Sequence, residues 1–229
     1  MNKQGNTYTF IYSIVLVVVV AALLAVVALS LQKTQNENIE NEKRQNILRS
    51  VNITSTVENS AELYKKYIVK QFIVNSNGEE VEGDAFAVDL AKQGKLPCDK
   101  KLLPVFVADI DGNIKYILPL YGTGLWGPVW GYVSLNDDKN TVYGTVFDHK
   151  GETPGLGAEI TTDLFQTQFK GKLIFDNNQL VSILVKKGGG ASGAHEVDGI
   201  SGGTITSKGV EAMIKAYLTC YEPFLKNKQ

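Results

Sequence analysis

The chain has 229 residues, 44% of them apolar, with 23 basic and 24 acidic side chains and a net charge of −1. That length accommodates one sizeable domain plus an anchor, and the balanced charge, with no basic face and no interleaved aromatic-basic motif, argues against nucleic acid as a partner. The two cysteines, Cys98 and Cys220, and two histidines, His149 and His195, stand at no metal-ligand spacing and argue against a protein-ligated zinc or iron–sulfur site; the cysteines either pair in an oxidising compartment or serve as small buried hydrophobes.

Residues 4 to 32 carry no charged side chain, and Phe10 to Leu31 is almost unbroken Val, Leu, Ile and Ala. At about 1.5 Å per residue this stretch spans roughly 33 Å as a helix, enough to cross a bilayer and lie in membrane lipid. Its apolar core is about twice a signal peptide's and no small-x-small cleavage site follows cleanly, so residues 10–31 read as an uncleaved anchor behind a short tail, residues 1–9. Basic residues do not orient it, because Lys3 and the N-terminal amine precede it while Lys33, Lys43 and Arg44 follow. Lacking any charged residue, the helix by itself offers an ion no path.

Gln32 to Arg44 is nearly all polar or charged and predicts a solvated helix or linker within residues 32–60, where Ile47, Leu48 and Val51 resume an apolar spacing. Residues 61–229 read as one folded domain. Ala61 to Val74 predicts a helix running into a strand, ended by Asn75-Ser76-Asn77-Gly78. Gly83 to Gly94 favours no element. From Leu103 the apolar period is two. Val105–Ile110 and Ile114–Leu118 flank Asp111-Gly112, Val129–Leu135 and Val142–Phe147 flank residues 136–140, and Leu173–Phe175 and Leu180–Val185 flank residues 176–178, which predicts three hairpins. Thr161 to Phe169 predicts a short helix capped by Thr161 or Thr162. The sum is an α+β domain with a mainly antiparallel sheet and flanking helices behind a single N-terminal transmembrane helix.

Asp198-Gly199-Ile200-Ser201-Gly202-Gly203-Thr204-Ile205-Thr206 leaves a Gly-, Ala- and Ser-rich run and enters a helix. From Ser207, Val210, Met213, Ile214, Tyr217 and Leu218 form one apolar stripe, which puts Thr204 about one turn ahead of the helix. Glycines that free backbone N–H groups, beside a helix N-terminus, suit a phosphate. Most such loops are plain connectors. Two upstream loops alter the reading: Tyr121-Gly122-Thr123-Gly124-Leu125-Trp126-Gly127 and His149-Lys150-Gly151-Glu152-Thr153-Pro154-Gly155-Leu156-Gly157. Their glycines and proline would hold Leu125, Trp126, Thr153 and Leu156 outward, where a planar ring could rest. Trp126 taken alone is as readily a core aromatic, and Glu152 a solvated loop charge. His149 reads as ordering its own loop and His195 as part of the loop that presents Asp198.

The three stretches together resemble the FMN-binding domain family shared by the C subunit of the bacterial Na+-translocating NADH:quinone oxidoreductase and the G subunit of the related Rnf complex. In that family a flavin transferase recognises D-x-x-[ST]-G-A-T and esterifies FMN, through its phosphate, to the last threonine. The resemblance makes Thr204 the attachment site, with Asp198, Ser201 and Gly202 matching and Gly203 standing where Ala is usual. It further implies that Ser201, Gly202, Gly203 and Thr206 donate to the phosphate, that Leu125, Trp126, Leu156 and Gly157 meet the ring, that Glu152 and Thr153 bond its edge, and that Lys186 stabilises its reduced, anionic form. Lys186 and Lys187 are otherwise a charged strand end. The family implies a redox subunit of a multisubunit complex in the bacterial inner membrane, its domain periplasmic, with the other subunits, the transferase and lipid as partners. The Gly122–Gly127 loop favours the quinone-reductase branch over Rnf. Rival readings are a cofactor-free membrane-anchored scaffold module, in which the Gly-rich segments are mere turns, and a stand-alone flavoprotein reductase.

Overall fold

A computed structural model describes residues 5–227; Met1 to Gln4, with Lys3 and the start of the expected tail, and Lys228 and Gln229 lie outside the described residues. The chain divides into two compact units, Met1–Lys43 and Arg44–Gln229. Helix α1 (Asn6–Ser50) runs unbroken through the apolar stretch and the polar residues after it, and among the described residues it is the one helix long and apolar enough to cross a membrane. Its side chains from Phe10 to Leu31 are exposed.

The second unit is built on a six-stranded antiparallel sheet. After α2 (Ser60–Tyr67) come β1 (Ile68–Val74) and β2 (Glu80–Val81), as the helix-into-strand pattern predicts. Residues 83–94, which favoured no element, form a 3-10 turn (Ala85–Ala87) and α3 (Leu90–Gly94), whose start is capped by the Asp89 carboxylate on the Lys92 N–H. Then follow β3 (Leu103–Ile110), β4 (Asn113–Thr123), β5 (Pro128–Asn136) and β6 (Val142–His149), giving the order β2-β1-β3-β4-β5-β6. The first predicted hairpin closes on Asp111 (φ 53) and Gly112 (φ 79), both left-handed, the two-residue turn whose twist matches paired strands. The second closes where Asp138 accepts from Asn140 N–H, Thr141 N–H and the Thr141 hydroxyl.

The third hairpin is shorter than the sequence suggests. Phe175–Asp176 (β7) and Gln179–Leu180 (β8) pair around Asn177 and Asn178, but the outgoing strand breaks at Ser182, φ 63. Val181 and Ser182 both donate to the Ile174 carbonyl, ending that ladder, while the Glu211 carboxylate takes the Val185 N–H. Leu184–Lys186 (β9) therefore pairs in parallel with Glu196–Asp198 (β10) instead. The short helix expected over residues 161–169 is one turn, α4 (Asp163–Gln166), between two 3-10 turns, and the hydroxyls of Thr161 and Thr162 bond back to Ala158 and Glu159 rather than capping it.

Helix α5 (Thr204–Lys226) begins three residues earlier than its apolar stripe indicates. Ser207 N–H donates to the Gly203 carbonyl, so Thr204, Ile205 and Thr206 form a first turn that faces loops rather than the core. Further along, Val210, Ile214, Tyr217, Leu218 and Tyr221 pack with Leu118, Leu120 and Val133 on one sheet face. On the other face Phe106, Ala108, Ile117 and Tyr132 meet Ile47 and Val51, so the compact unit reaches back into residues expected as linker. Because successive strand residues point to opposite faces, a sheet covered on both sides needs near-continuous apolar strands, and Val105-Phe106-Val107-Ala108 is one. Cys98 and Cys220 are joined by a disulfide that ties the segment after α3 to α5 across 122 residues.

Candidate functional site

The turn that starts α5 is met by the two glycine-bearing loops. Thr204 is exposed, and its hydroxyl has no hydrogen-bond partner among the described residues. The amides of Thr204, Ile205 and Thr206 precede the helical ladder and no side chain among the described residues caps them; such free N–H groups, with a partial positive charge of about half a unit, favour an anion.

Beside Thr204 lies a cleft of about 360 Å³ lined by Leu125, Trp126, Glu152, Thr153, Leu156, Gly157 and the stretch from Gly202 to Thr206. Most of the residues expected at the site from sequence therefore share one cavity. Trp126 is 68% exposed, so it is not a core aromatic, and Leu125, Leu156 and Ile205 present further apolar surface. Ile205 was missed. The sequence did carry a signal for it: at 3.6 residues per turn it lies about 140° around the helix from Val210, an apolar side chain off the core stripe.

Ser201 and Lys186 do not line this cleft. They line a second cavity of about 360 Å³ on the other side of Thr204, with Lys187, Lys208, Ser207 and Gly188, while Gly202 and Thr204 border both. Lys186 is paired with Glu196 at 3.0 Å, holding that carboxyl below the usual carboxylate range, and Lys208 with Glu211 at 2.8 Å. Asp198 lines neither cavity; its carboxylate accepts from Ala191 N–H at 2.8 Å and so ties down the Gly-rich loop. His195, at the end of that loop, has its Nδ1 2.6 Å from the carbonyl of Leu173, in the segment before β7.

Glu152 is buried, not a solvated loop charge. Its Oε1 accepts from Trp126 N–H at 2.8 Å and its Oε2 from the Thr206 hydroxyl at 2.5 Å. The Thr206 hydroxyl is thus committed to protein, leaving its N–H for a ligand. His149 Nδ1 accepts from Glu152 N–H at 3.1 Å and orders that loop. At Gly203 an added Cβ would meet both Leu156 O and Ile200 Cγ2 at 3.0 Å, so the glycine there relieves a tight contact.

The cavity falls within the 300–1,000 Å³ range of ligand clefts, and its free amides, exposed hydroxyl and apolar walls fit the phosphate and planar ring of FMN. Similarity to known proteins agrees with this geometry. An FMN-binding domain model matches residues 124–219. The C subunit of the Na(+)-translocating NADH-quinone reductase of Haemophilus ducreyi is 32% identical over 93% of this chain and 90% of its own length; that of Vibrio anguillarum is 33% identical over 98% and 95%. The crystal structure of the C subunit from Parabacteroides distasonis superposes with a TM-score of 0.81 at 49% identity, covering 87% of this chain and 98% of that one. The chain belongs to the family formed by the C subunits of Na(+)-translocating NADH-quinone reductases.

Proposed function

We propose that this chain carries FMN as a phosphoester on Thr204 and relays electrons between partner subunits of a Na+-translocating NADH:quinone reductase. The observation that carries the reading is Thr204 itself: an exposed hydroxyl, without a partner among the described residues, on the first residue of α5, beside amides that no described side chain caps and bordering the apolar cleft. The ester forms with net loss of one water: the threonine oxygen bonds to phosphorus, and its proton leaves with a phosphate oxygen. Ile205 and Thr206 N–H groups would hold phosphate oxygens, and Leu125, Trp126, Leu156 and Ile205 would cover the ring and exclude water. Bound FMN supplies reversible electron uptake and release. Ser201 and Lys186 are reserved for the second cavity's side of Thr204, where the Glu196 carboxylate offsets part of the lysine's charge.

Residues 10–31 would anchor the chain in the bacterial inner membrane, with the domain periplasmic. The Cys98–Cys220 disulfide supports that side, since such bonds persist in oxidising compartments. A tethered flavin also suits a compartment that holds no pool of free FMN. The test is the intact mass and peptide map of the chain from its native membrane beside a Thr204→Ala variant. The expected result is added mass equal to FMN less one water, confined to the Thr204 peptide and lost in the variant. An unmodified Thr204 in native material where the transferase is active overturns the proposal.

A further inference from the structure

We propose that Glu152 is a positioning residue, a buried carboxylate lock that holds the Trp126 loop against the first turn of α5 and so sets the shape of the flavin cleft. The inference rests on the reading that this cleft takes the FMN ring. Trp126 is 68% exposed and its indole makes no aromatic or cation–π contact among the described residues. With so much of the indole in the open, its position depends largely on the backbone that carries it. That backbone is fixed by the Gly124 N–H on the Gly127 carbonyl and by the Trp126 N–H on Glu152 Oε1.

The other carboxylate oxygen takes the Thr206 hydroxyl, two residues from Thr204. One side chain, 5% exposed, therefore joins the loop after β4, its own loop after β6 and the start of α5. Both loops are shaped around it. A Cβ on Gly124 would lie 2.5 Å from Oε1 and one on Gly157 2.5 Å from Oε2, so any larger residue at either position would displace the carboxylate. No cation is paired with Glu152 among the described residues; its partners are an amide, a hydroxyl and the positive end of a helix, all of them parts of the cleft wall. A group that only solubilised a loop would not be buried in this way.

The test uses the full chain with Trp130→Phe, which leaves Trp126 as the sole tryptophan. In flavin-free protein, Glu152→Ala should lower the Trp126 fluorescence anisotropy by about half as the loop gains nanosecond motion. Glu152→Gln should keep the parent value, because its amide oxygen can accept from Trp126 and its NH2 can donate to the Thr206 oxygen. In protein made with the transferase, Glu152→Ala should retain FMN mass on Thr204 yet show flavin emission raised roughly several-fold as stacking on the indole is lost. Should Glu152→Ala fail to fold, Thr206→Val, close in shape, must shift anisotropy in the same direction. Parent-like anisotropy in a folded Glu152→Ala or Thr206→Val, or loss of anisotropy in Glu152→Gln, overturns the inference. Absence of FMN from Thr204 in the parent would overturn the proposed function instead, and leaves the anisotropy result decisive for the lock.

Discussion

Among single residues, two buried tyrosines on α5 differ in one bond. The Tyr221 hydroxyl donates to the Pro104 carbonyl at 2.7 Å, whereas the buried Tyr217 hydroxyl has no partner among the described residues. Tyr221→Phe should therefore cost about 1–2 kcal/mol, and Tyr217→Phe should be neutral or slightly stabilising, as read by chemical unfolding. Burial, which disfavours the phenolate, pushes Tyr217 up to about 12 and Tyr221 well above the ordinary tyrosine range. The native state thus holds these protons more tightly than the unfolded chain. Their contribution is complete below the unfolded value of about 10 and is lost as pH rises through the native values. Stability should fall from about pH 10 upward, and less steeply in Tyr217→Phe; an unfolding midpoint insensitive to pH between about 9 and 12 contradicts this.

Among the elements, α5 does two jobs with one register. Its first turn presents Thr204 to the cleft, and the turns after it are held in the core by apolar contacts and by the disulfide from Cys220 to Cys98. Closing so long a loop restricts the unfolded chain, so Cys98→Ser with Cys220→Ser should lower stability by about 2–5 kcal/mol. A thermal midpoint that does not move would show that the α5 packing alone holds the segment after α3. The hairpin at Asp111-Gly112 was legible in sequence because its turn chemistry is local. The third hairpin was legible at its turn but not in its length, because the Val185 N–H is claimed by Glu211 and Leu184–Lys186 pairs with β10, partners that no local pattern announces.

In the molecule as a whole, the compact unit begins at Arg44, the last residue of the polar stretch, and so takes in residues up to 60 that the sequence suggests as linker. Ile47 and Leu48 are 0% exposed and Val51 1% exposed, and Ile47 and Val51 complete the core on the face opposite α5. The Ser134 hydroxyl donates to the Ser50 carbonyl at 2.5 Å, fastening this segment to β5. A chain starting at Arg44 should fold as a cooperative unit. One starting at Asn52 loses three buried side chains at about 2–5 kcal/mol for each large one, most of the usual margin of about 5–15 kcal/mol. Circular dichroism during heating would separate the two; equal midpoints would show that the end of α1 contributes nothing to the fold.

Several features of this protein are written in neighbouring residues: the apolar length of the anchor, the Asp-Gly turn, the stripe of α5 and the glycine-framed loops with Leu125, Trp126 and Leu156. Each rests on periodicity or turn chemistry within a few positions, so the sequence suffices to read it. Others depend on which segments meet in the fold: the disulfide, the parallel pairing of β9 and β10, the exposure of Trp126, and the burial of Glu152 between two loops and a helix start. Burial and hydrogen-bond pairing belong to chain segments brought together by folding, and Glu152 and Thr206, 54 positions apart, carry no trace in sequence of the bond that joins them.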